Sequence, residues 1–166
     1  MVKRLGIVDS NNKELIFAIE KYFVAKDVDV KVVSLNYDMT EFDVVVLTGF
    51  ENAVTIKHEN ILNIYPTLLP AFKNEENPIL ASYLAGVKVS GISVYNYLND
   101  KILAQYPVLI GLDTTLEDLS GEILKIAQKI YPVVIDAVVC DKIFDFNDLF
   151  SFSSCSGNCG GCGSCH

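Results

Sequence analysis

Four of the five cysteines lie close together, at Cys155, Cys159, Cys162 and Cys165, in the spacing C-x3-C-x2-C-x2-C. Glycine, serine and asparagine fill the gaps between them, so the backbone can wrap tightly around one centre. Four thiolates suffice for a tetrahedral zinc ion or for a fully ligated 4Fe–4S cluster. The spacing therefore predicts a metal or iron–sulfur centre. It leaves open dithiol redox chemistry and a tail without a bound centre.

The composition changes sharply after Phe150, where serine, glycine and cysteine replace the mixed residues of a globular chain. Such a segment has too few apolar side chains to build a core of its own. We therefore expect two parts: an α/β domain over residues 1–150 and a cysteine-rich tail over residues 151–166.

The net charge and hydropathy of the chain limit the classes of partner that it can bind. The 166 residues are 51% hydrophobic, which suits one domain with its own core. The net charge of −8 disfavours a nucleic-acid partner and an anionic membrane surface. No segment approaches the ~20 apolar residues that a membrane-spanning helix needs. We expect a cytoplasmic protein, because a reducing compartment also keeps clustered cysteines available for metal binding.

The elements that must position any site alternate between strand and helix in the first half of the chain. The hydrophobic pattern predicts a helix over residues 13–25 and strands at 4–9, 28–32, 43–47 and 61–64. Strands that alternate with helices indicate βαβ units and a parallel sheet.

The second half of the chain has a different pattern of predicted elements, in which two long strands precede one long helix. Residues 87–95 and 102–110 are long strand patterns separated by a polar turn, which predicts an antiparallel hairpin. Thr114 and Glu117 have the spacing of a capping box at the start of a long final helix. Cys140 follows that apolar helix, and we expect it to be a buried small hydrophobe.

Several stretches, taken in order, resemble the phosphoribosylglycinamide formyltransferase family. They are Asp43–Phe50, Ile61–Lys73, Ala85–Val94, Ile102–Gln105 and Lys129–Pro132. Members of this family transfer a formyl group from 10-formyltetrahydrofolate to an amine. The resemblance implies an α/β, Rossmann-like formyltransferase fold: a mostly parallel sheet with an antiparallel C-terminal strand, flanked by helices.

The resemblance also implies a catalytic set of Asn, His and Asp. Its Asn corresponds to Asn63, but Tyr65 stands at the position of the His. Asp100 is the only carboxylate near the position of the Asp, in a turn that is shorter than the family's. A phenol has a reference pKa of about 10 and cannot act as an imidazolium near neutral pH. The set Asn63, Tyr65 and Asp100 therefore predicts impaired or repurposed chemistry.

The ligand subsites of the family correspond to further positions. The resemblance implies that Gly49, Phe50, Leu68 and Pro70 would contact a folate. After its first strand the family cradles a phosphate in a glycine-rich loop, whereas residues 9–13 contain no glycine and add a carboxylate. We expect the phosphate subsite to be lost or rebuilt.

Three functions are compatible with these residues. The preferred one is a repurposed formyltransferase-like domain whose tail binds zinc or an iron–sulfur cluster and serves a metalloenzyme or redox partner protein. The second is an active folate-dependent transferase or hydrolase, in which Asn63 orients the formyl group, Tyr65 donates to its oxygen and Asp100 or a water moves protons. The third is a protein-interaction module. A homodimer stays open in each case, through a centre shared by two tails or through the hairpin.

Overall fold

Strands and helices alternate along the chain as the hydrophobic pattern predicts. The computed structural model describes residues 2–10, 12–49 and 56–142. The elements are β1 (Lys3–Val8), α1 (Lys13–Phe23), β2 (Val28–Val33), a short 3-10 turn (Met39–Glu41), β3 (Val44–Leu47), β4 (Ile61–Tyr65), α2 (Pro78–Leu84), β5 (Val89–Asn96), β6 (Ile102–Leu109) and α3 (Leu116–Val139).

The strands form one sheet in the order β2-β1-β3-β4-β5-β6. Neighbouring strands from β2 through β4 pair in parallel, and β5 pairs antiparallel with both β4 and β6. The predicted hairpin is confirmed as β5 and β6, so β5 is the strand that runs against the others. The fold is the mixed α/β sheet that the sequence indicated.

One face of the sheet packs against α1 and α3. The core between them contains Leu15 and Ile19 of α1, Ile123 and Ile130 of α3, and apolar side chains from every strand except the edge strand β2. A second apolar cluster on the other face of β1 and β3 includes Met39 and Phe42. The strand β3 is buried along its whole length because it is covered on both faces, which suits its β-branched run.

Helix α3 is fixed to the sheet by Tyr131, which is fully buried. The hydroxyl of Tyr131 lies 2.8 Å from the carbonyl of Leu47 and 3.0 Å from that of Leu62, near the ends of β3 and β4. Burial raises the pKa of this phenol well above its ordinary value. Among the described residues, no helix has the length and apolar character needed to cross a membrane.

The capping box of α3 lies one residue later than predicted. Thr115 accepts a hydrogen bond from the Asp118 backbone at 3.1 Å, and the Asp118 carboxylate accepts one from the Thr115 backbone at 3.0 Å. Thr114 is not available for this role, because its hydroxyl accepts the backbone N–H of Gly111 at 2.9 Å. Thr114 and Glu117 have the spacing of a capping box, but the Thr114 hydroxyl is hydrogen-bonded within the turn that precedes the helix.

Asp136, which is only 6% exposed, anchors the last turn of α3 through its carboxylate. Lys26 donates to its carboxylate at 2.8 Å, and Tyr22 and Lys142 donate at 3.4 Å. Cys140 is exposed, so the prediction that it is buried was wrong. It occupies the C-cap of the helix, where its thiol donates to Asp136 at 3.4 Å.

We predict that Asp136→Asn destabilises the protein in a pH-dependent way. Burial by itself would raise the pKa of Asp136, but hydrogen bonds from Lys26 and Cys140 and the charges of Lys26 and Lys142 lower it. A carboxyl with a lowered folded-state pKa stabilises the protein above its unfolded pKa, and this stabilisation is lost as the pH falls through the folded pKa. The expected loss at pH 7 is about 1.5–3 kcal/mol in the free energy of unfolding.

Urea unfolding at pH 7 and at pH 3 measures this effect. The difference between variant and wild type should shrink as the pH falls below about 4, because the carboxyl of the unfolded chain takes up a proton there while the folded carboxyl, whose pKa is lowered, stays ionised to lower pH. Asp113→Asn, at an exposed turn position, is the control and should change stability by less than about 0.5 kcal/mol. An equal loss at both pH values for Asp136→Asn would contradict the account.

Candidate active site

The face of β4, β5 and β6 that points away from α3 carries a row of polar side chains. Asn63 and Tyr65 lie two apart on β4, directly opposite Tyr95 and Ser93 of β5. Gln105 of β6 lies opposite Ser93. Residues directly opposite one another in an antiparallel pair share one face of the sheet. We call these five residues the polar face; Asn63 is 1% and Ser93 0% exposed.

The loop of residues 66–77, between β4 and α2, covers the polar face through hydrogen bonds to its backbone. Ser93 Oγ accepts from the Leu69 backbone N–H and donates to the Thr67 carbonyl, both at 2.8 Å. Gln105 Nε2 donates to Ser93 Oγ and to the Leu69 carbonyl, both at 2.9 Å. The Ser93 hydroxyl is thus fully satisfied, and it joins the loop to β5 and β6.

A glycine on β5 makes this close approach feasible. Gly91 has φ +155°, and an added Cβ would lie 2.1 Å from the Tyr106 carbonyl oxygen and 2.8 Å from Leu68 Cδ2. Leu68 is therefore turned toward β5 and is half-buried there. The Leu69–Pro70 peptide bond that follows is cis, and Pro70 is exposed.

Tyr65 holds the far end of the same loop. Its hydroxyl lies 2.9 Å from the carbonyl oxygens of both Phe72 and Lys73. A phenol has one hydrogen, so these two acceptors share it. Tyr65 is 6% exposed, and burial, with a smaller effect from the charge of Glu75, raises its pKa. The hydroxyl that stands at the position of the family's His is therefore committed to the loop backbone.

Asp100 lies in the turn of the hairpin and points to a different partner. Its backbone has φ +55°, and its carboxylate forms an ion pair with Lys73 at 2.7 Å. The side chain is 62% exposed. Among the described residues, no hydrogen bond or ion pair joins Asp100 to Asn63. The structure thus brings Asn63 and Tyr65 onto one face and leaves Asp100 at the surface, pairing the loop with the turn.

Asn63 has a partner that the sequence analysis missed. Its Oδ1 accepts from the Ile64 backbone N–H at 2.8 Å, and its Nδ2 donates to Tyr95 Oη at 3.0 Å. Tyr95 is 5% exposed, and burial raises its pKa, with the Asn63 hydrogen bond acting in the opposite direction. The register of the predicted hairpin against β4 would have identified this residue, but periodicity alone does not give that register.

The carboxyl ends of β1 and β3 lie at the switch point of the sheet, where parallel folds bind ligands. Thr48 Oγ1 donates to the Val8 carbonyl at 2.9 Å, so the hydrogen in its 2.8 Å contact with Ser10 Oγ comes from Ser10. Both hydroxyl hydrogens are used within the protein, and Asp9 adds a negative charge beside them. This arrangement disfavours a phosphate, in line with the altered loop sequence.

No imidazole accompanies Asn63 in the part of the chain that the structure describes. His58 is half-buried, its Nε2 lies 2.9 Å from the Phe42 carbonyl, and its Nδ1 accepts the Asn60 backbone N–H at 3.1 Å. Both ring nitrogens are therefore engaged in the loop before β4. His166, the other histidine of the chain, lies outside the described residues.

The remaining predicted residues divide between described and undescribed parts of the chain. Gly49 is half-buried and lies two residues after the end of β3, at the same edge of the sheet as Leu68. Phe50 and the tail cysteines lie outside the described residues. Within residues 2–10, 12–49 and 56–142, no group of three or more His, Cys, Asp or Glu side chains could hold a metal ion. The predictions for Phe50 and the cysteines stay predictions.

We predict that Tyr65→Phe loosens the 66–77 loop while the fold is kept. Loss of the shared hydrogen bond should lower the free energy of unfolding by about 1 kcal/mol. It should also speed amide exchange at Ala71 and Glu75, whose N–H groups donate to the Leu68 and Phe72 carbonyls. Hydrogen exchange followed by NMR measures both rates.

The control is Tyr83→Phe on α2, a half-buried tyrosine whose hydroxyl makes no hydrogen bond to the residues that the structure describes. It should leave both exchange rates unchanged. Unchanged rates in Tyr65→Phe would show that the hydroxyl does not hold the loop.

Comparison with known proteins identifies the family of the chain. Residues 9–135 match the family described as Formyl transferase. The phosphoribosylglycinamide formyltransferase of Bacillus subtilis (strain 168) is 40% identical over 80 residues, which are 45% of this chain and 40% of the relative. The chloroplastic enzyme of Vigna unguiculata is 28% identical over 119 residues, which are 62% of this chain and 37% of the relative. The chain thus spans less than half the length of either curated relative.

Solved structures show the same fold. A phosphoribosylglycinamide formyltransferase from Anaplasma phagocytophilum superposes with a TM-score of 0.70 at 24% identity and covers 87% of this chain and 90% of its own. A formyltetrahydrofolate deformylase from Pseudomonas syringae pv. tomato str. DC3000 superposes with a TM-score of 0.68 at 15% identity, over 89% of this chain and 64% of its own. Since the family match covers well over half of the sequence and the fold agrees, the chain belongs to the formyl transferase family.

Proposed function

We propose that this protein is a repurposed member of the family that no longer transfers formyl groups and whose cysteine tail binds zinc or an iron–sulfur cluster. The observation that carries the first half is the Tyr65 hydroxyl, which is bonded to the Phe72 and Lys73 carbonyls. It supports a structural role for the residue that replaces the family's His.

Formyl transfer to an amine needs a group that moves a proton close to the reacting carbon. Such a group works best when its pKa lies near the working pH. The two phenols on the polar face with Asn63 belong to Tyr65 and Tyr95, and burial raises the pKa of both above the ordinary value for tyrosine. Asp100 is exposed and paired with Lys73. These side chains favour binding over proton transfer.

The acceptor subsite supports the same proposal. The curated relatives are named for a phosphoribosyl acceptor, and a phosphate needs free N–H or O–H donors. At the switch point the hydrogens of Ser10 and Thr48 are used internally, beside Asp9. We infer that a phosphorylated acceptor does not bind here.

The second half of the proposal concerns the tail. Thiolates, not thiols, bind zinc and iron. Cys140 is exposed as a residue, but partial desolvation of its thiol and the hydrogen bond to Asp136 raise its pKa, which makes that thiol a poor ligand. Cys155, Cys159, Cys162 and Cys165 are then the candidate ligands, in a cytoplasmic setting. The domain would carry the centre to a metalloenzyme or redox partner.

One observation favours a second candidate, an active folate-dependent transferase or hydrolase. The buried Asn63 amide is kept and is oriented by two hydrogen bonds. In that function the phenol beside the formyl oxygen would be Tyr95, because the hydroxyl of Tyr65 is held by the loop. Gly49 and Leu68 would border the folate.

We predict that the anaerobically purified protein contains zinc, or iron with acid-labile sulfide, and that the double variant Cys155→Ser/Cys162→Ser loses it. Metal analysis, sulfide analysis and a visible spectrum make the measurement. Cys140→Ser is the matched control and should retain the full metal content. A wild type that contains no metal and takes up neither zinc nor an iron–sulfur cluster on reconstitution would contradict the tail proposal.

A separate assay tests the loss of activity. With 10-formyltetrahydrofolate and phosphoribosylglycinamide, we expect no transfer and no release of formate above the uncatalysed rate. Asn63→Ala serves as the control for a contaminating enzyme. Turnover that the wild type shows and Asn63→Ala abolishes would favour the second candidate.

A further inference from the structure

A cavity of about 370 Å³ lies beside the connection between β2 and β3. Two of the side chains that line it, Met39 and Ile56, are buried members of the second apolar cluster. Leu35, Tyr37 and Lys57 also line it, and all three are exposed. We call this cavity the crossover groove. Its volume is in the range of cavities that hold small organic molecules, and its apolar side chains favour an apolar occupant.

The described chain ends close to the crossover groove. Lys3 Nζ lies 3.7 Å from the carboxylate of Asp141 and 3.9 Å from that of Asp43. Asp43 comes two residues after the 3-10 turn Met39–Glu41, part of which lines the groove. An extended chain spans about 3.3–3.6 Å per residue, so ten residues after Lys142 reach about 35 Å. The segment that follows Lys142 is therefore long enough to enter the groove.

That segment has an unusual composition. Residues 143–152, which lie outside the described residues, have the sequence IFDFNDLFSF. Six of the ten are apolar, and four of the nine phenylalanines of the chain are among them. Left in water, four phenyl rings so close in sequence would form an apolar patch of the kind that soluble proteins cover. The segment therefore needs an apolar surface to pack against.

The charges of the segment and of the groove are complementary. The segment carries Asp145 and Asp148 and no cation. Lys57 is exposed and forms no ion pair with the residues that the structure describes. Two other cations near this connection, Lys31 and Arg4, already pair with Glu41. An exposed ion pair adds little affinity, but Lys57 favours an acidic occupant over a basic one.

We propose that residues 143–152 pack into the crossover groove of their own chain, with phenylalanine rings against Met39 and Ile56 and an aspartate near Lys57. Three observations carry the proposal: the groove is apolar, the described chain ends beside it, and the residues that come next are rich in phenylalanine. Docking of this segment would hold the cysteine-rich tail beside the domain. The inference goes beyond the proposed function, since it does not depend on what the cysteines bind.

Met39 makes a selective NMR probe of the groove, because the chain has only one other methionine, Met1. In the full chain labelled with ¹³C at the methionine methyl groups, the Met39 methyl should show nuclear Overhauser effects to phenyl protons of residues 143–152. Single Phe→Leu variants of the segment assign these signals and separate them from those of Phe42, which belongs to the same cluster. Effects from Phe42 alone would overturn the proposal.

The same probe distinguishes the chain's own segment from that of a second copy. In a mixture of one protein labelled at methionine and another labelled at phenylalanine, only contacts between two molecules give a filtered signal. We expect none for the Met39 methyl. A signal in the mixture as strong as in the single sample would assign the groove to a second copy and would overturn the proposal.

A fluorescence measurement is independent of the methyl assignment. The chain has no tryptophan, so Phe146→Trp introduces a single reporter. It should emit at shorter wavelength than Phe17→Trp, the matched control at a position on α1 that is 66% exposed. Adding Lys57→Glu should move the Phe146→Trp emission to longer wavelength, because a like charge then faces the two aspartates, whereas Lys129→Glu on α3 should not. Equal emission maxima for the two tryptophan variants, or equal effects of the two lysine changes, would contradict the docking. None of these readouts depends on metal content or formyl transfer.

Discussion

The buried polar face of β4, β5 and β6 needs hydrogen-bonding partners, because each buried polar group left without one costs about 1–3 kcal/mol. The 66–77 loop supplies them with its backbone. Ser93 and Gln105 bind the loop near Leu69, and Tyr65 binds it at Phe72 and Lys73. Within the described residues, no buried side-chain nitrogen or oxygen is left wholly without a partner. The position of the loop over the sheet, and with it the shape of any pocket, depends on these hydrogen bonds between side chains of the sheet and the loop backbone.

The same hydrogen bonds divide the two phenols by function. Tyr65 donates its hydroxyl hydrogen to the loop backbone, whereas the Tyr95 hydroxyl accepts from Asn63 and donates to no acceptor among the described residues. Neither phenol titrates near neutral pH, since burial raises both pKa values. An amide and a phenol whose pKa is raised are poorly suited to move a proton near neutral pH.

Local patterns predicted the elements well, because hydrophobic periodicity and turn residues act over a few neighbours. The strands and the hairpin of β5 and β6 followed from such patterns. The capping box was predicted one residue too early, because Thr114 and Thr115 are adjacent and both fit the spacing. Only the hydrogen bond from the Gly111 backbone to Thr114 shows that Thr115 is the N-cap. The prediction for Cys140 was wrong because this residue is the C-cap of α3, where the helix ends and the residue becomes exposed. Tyr95 was missed because its pairing with Asn63 depends on strand register, which the resemblance did not supply.

The central claim is that the Tyr65 hydroxyl is held by the loop backbone, and is therefore not available for proton transfer. NMR of protein labelled at tyrosine ¹³Cζ, assigned with single Tyr→Phe variants, tests it directly. During a pH titration the Tyr65 signal should still be mostly in its protonated form at about pH 10, where an unperturbed tyrosine is already half ionised, because burial raises the pKa of Tyr65. Ionisation of Tyr65 at or below its ordinary pKa would contradict the account.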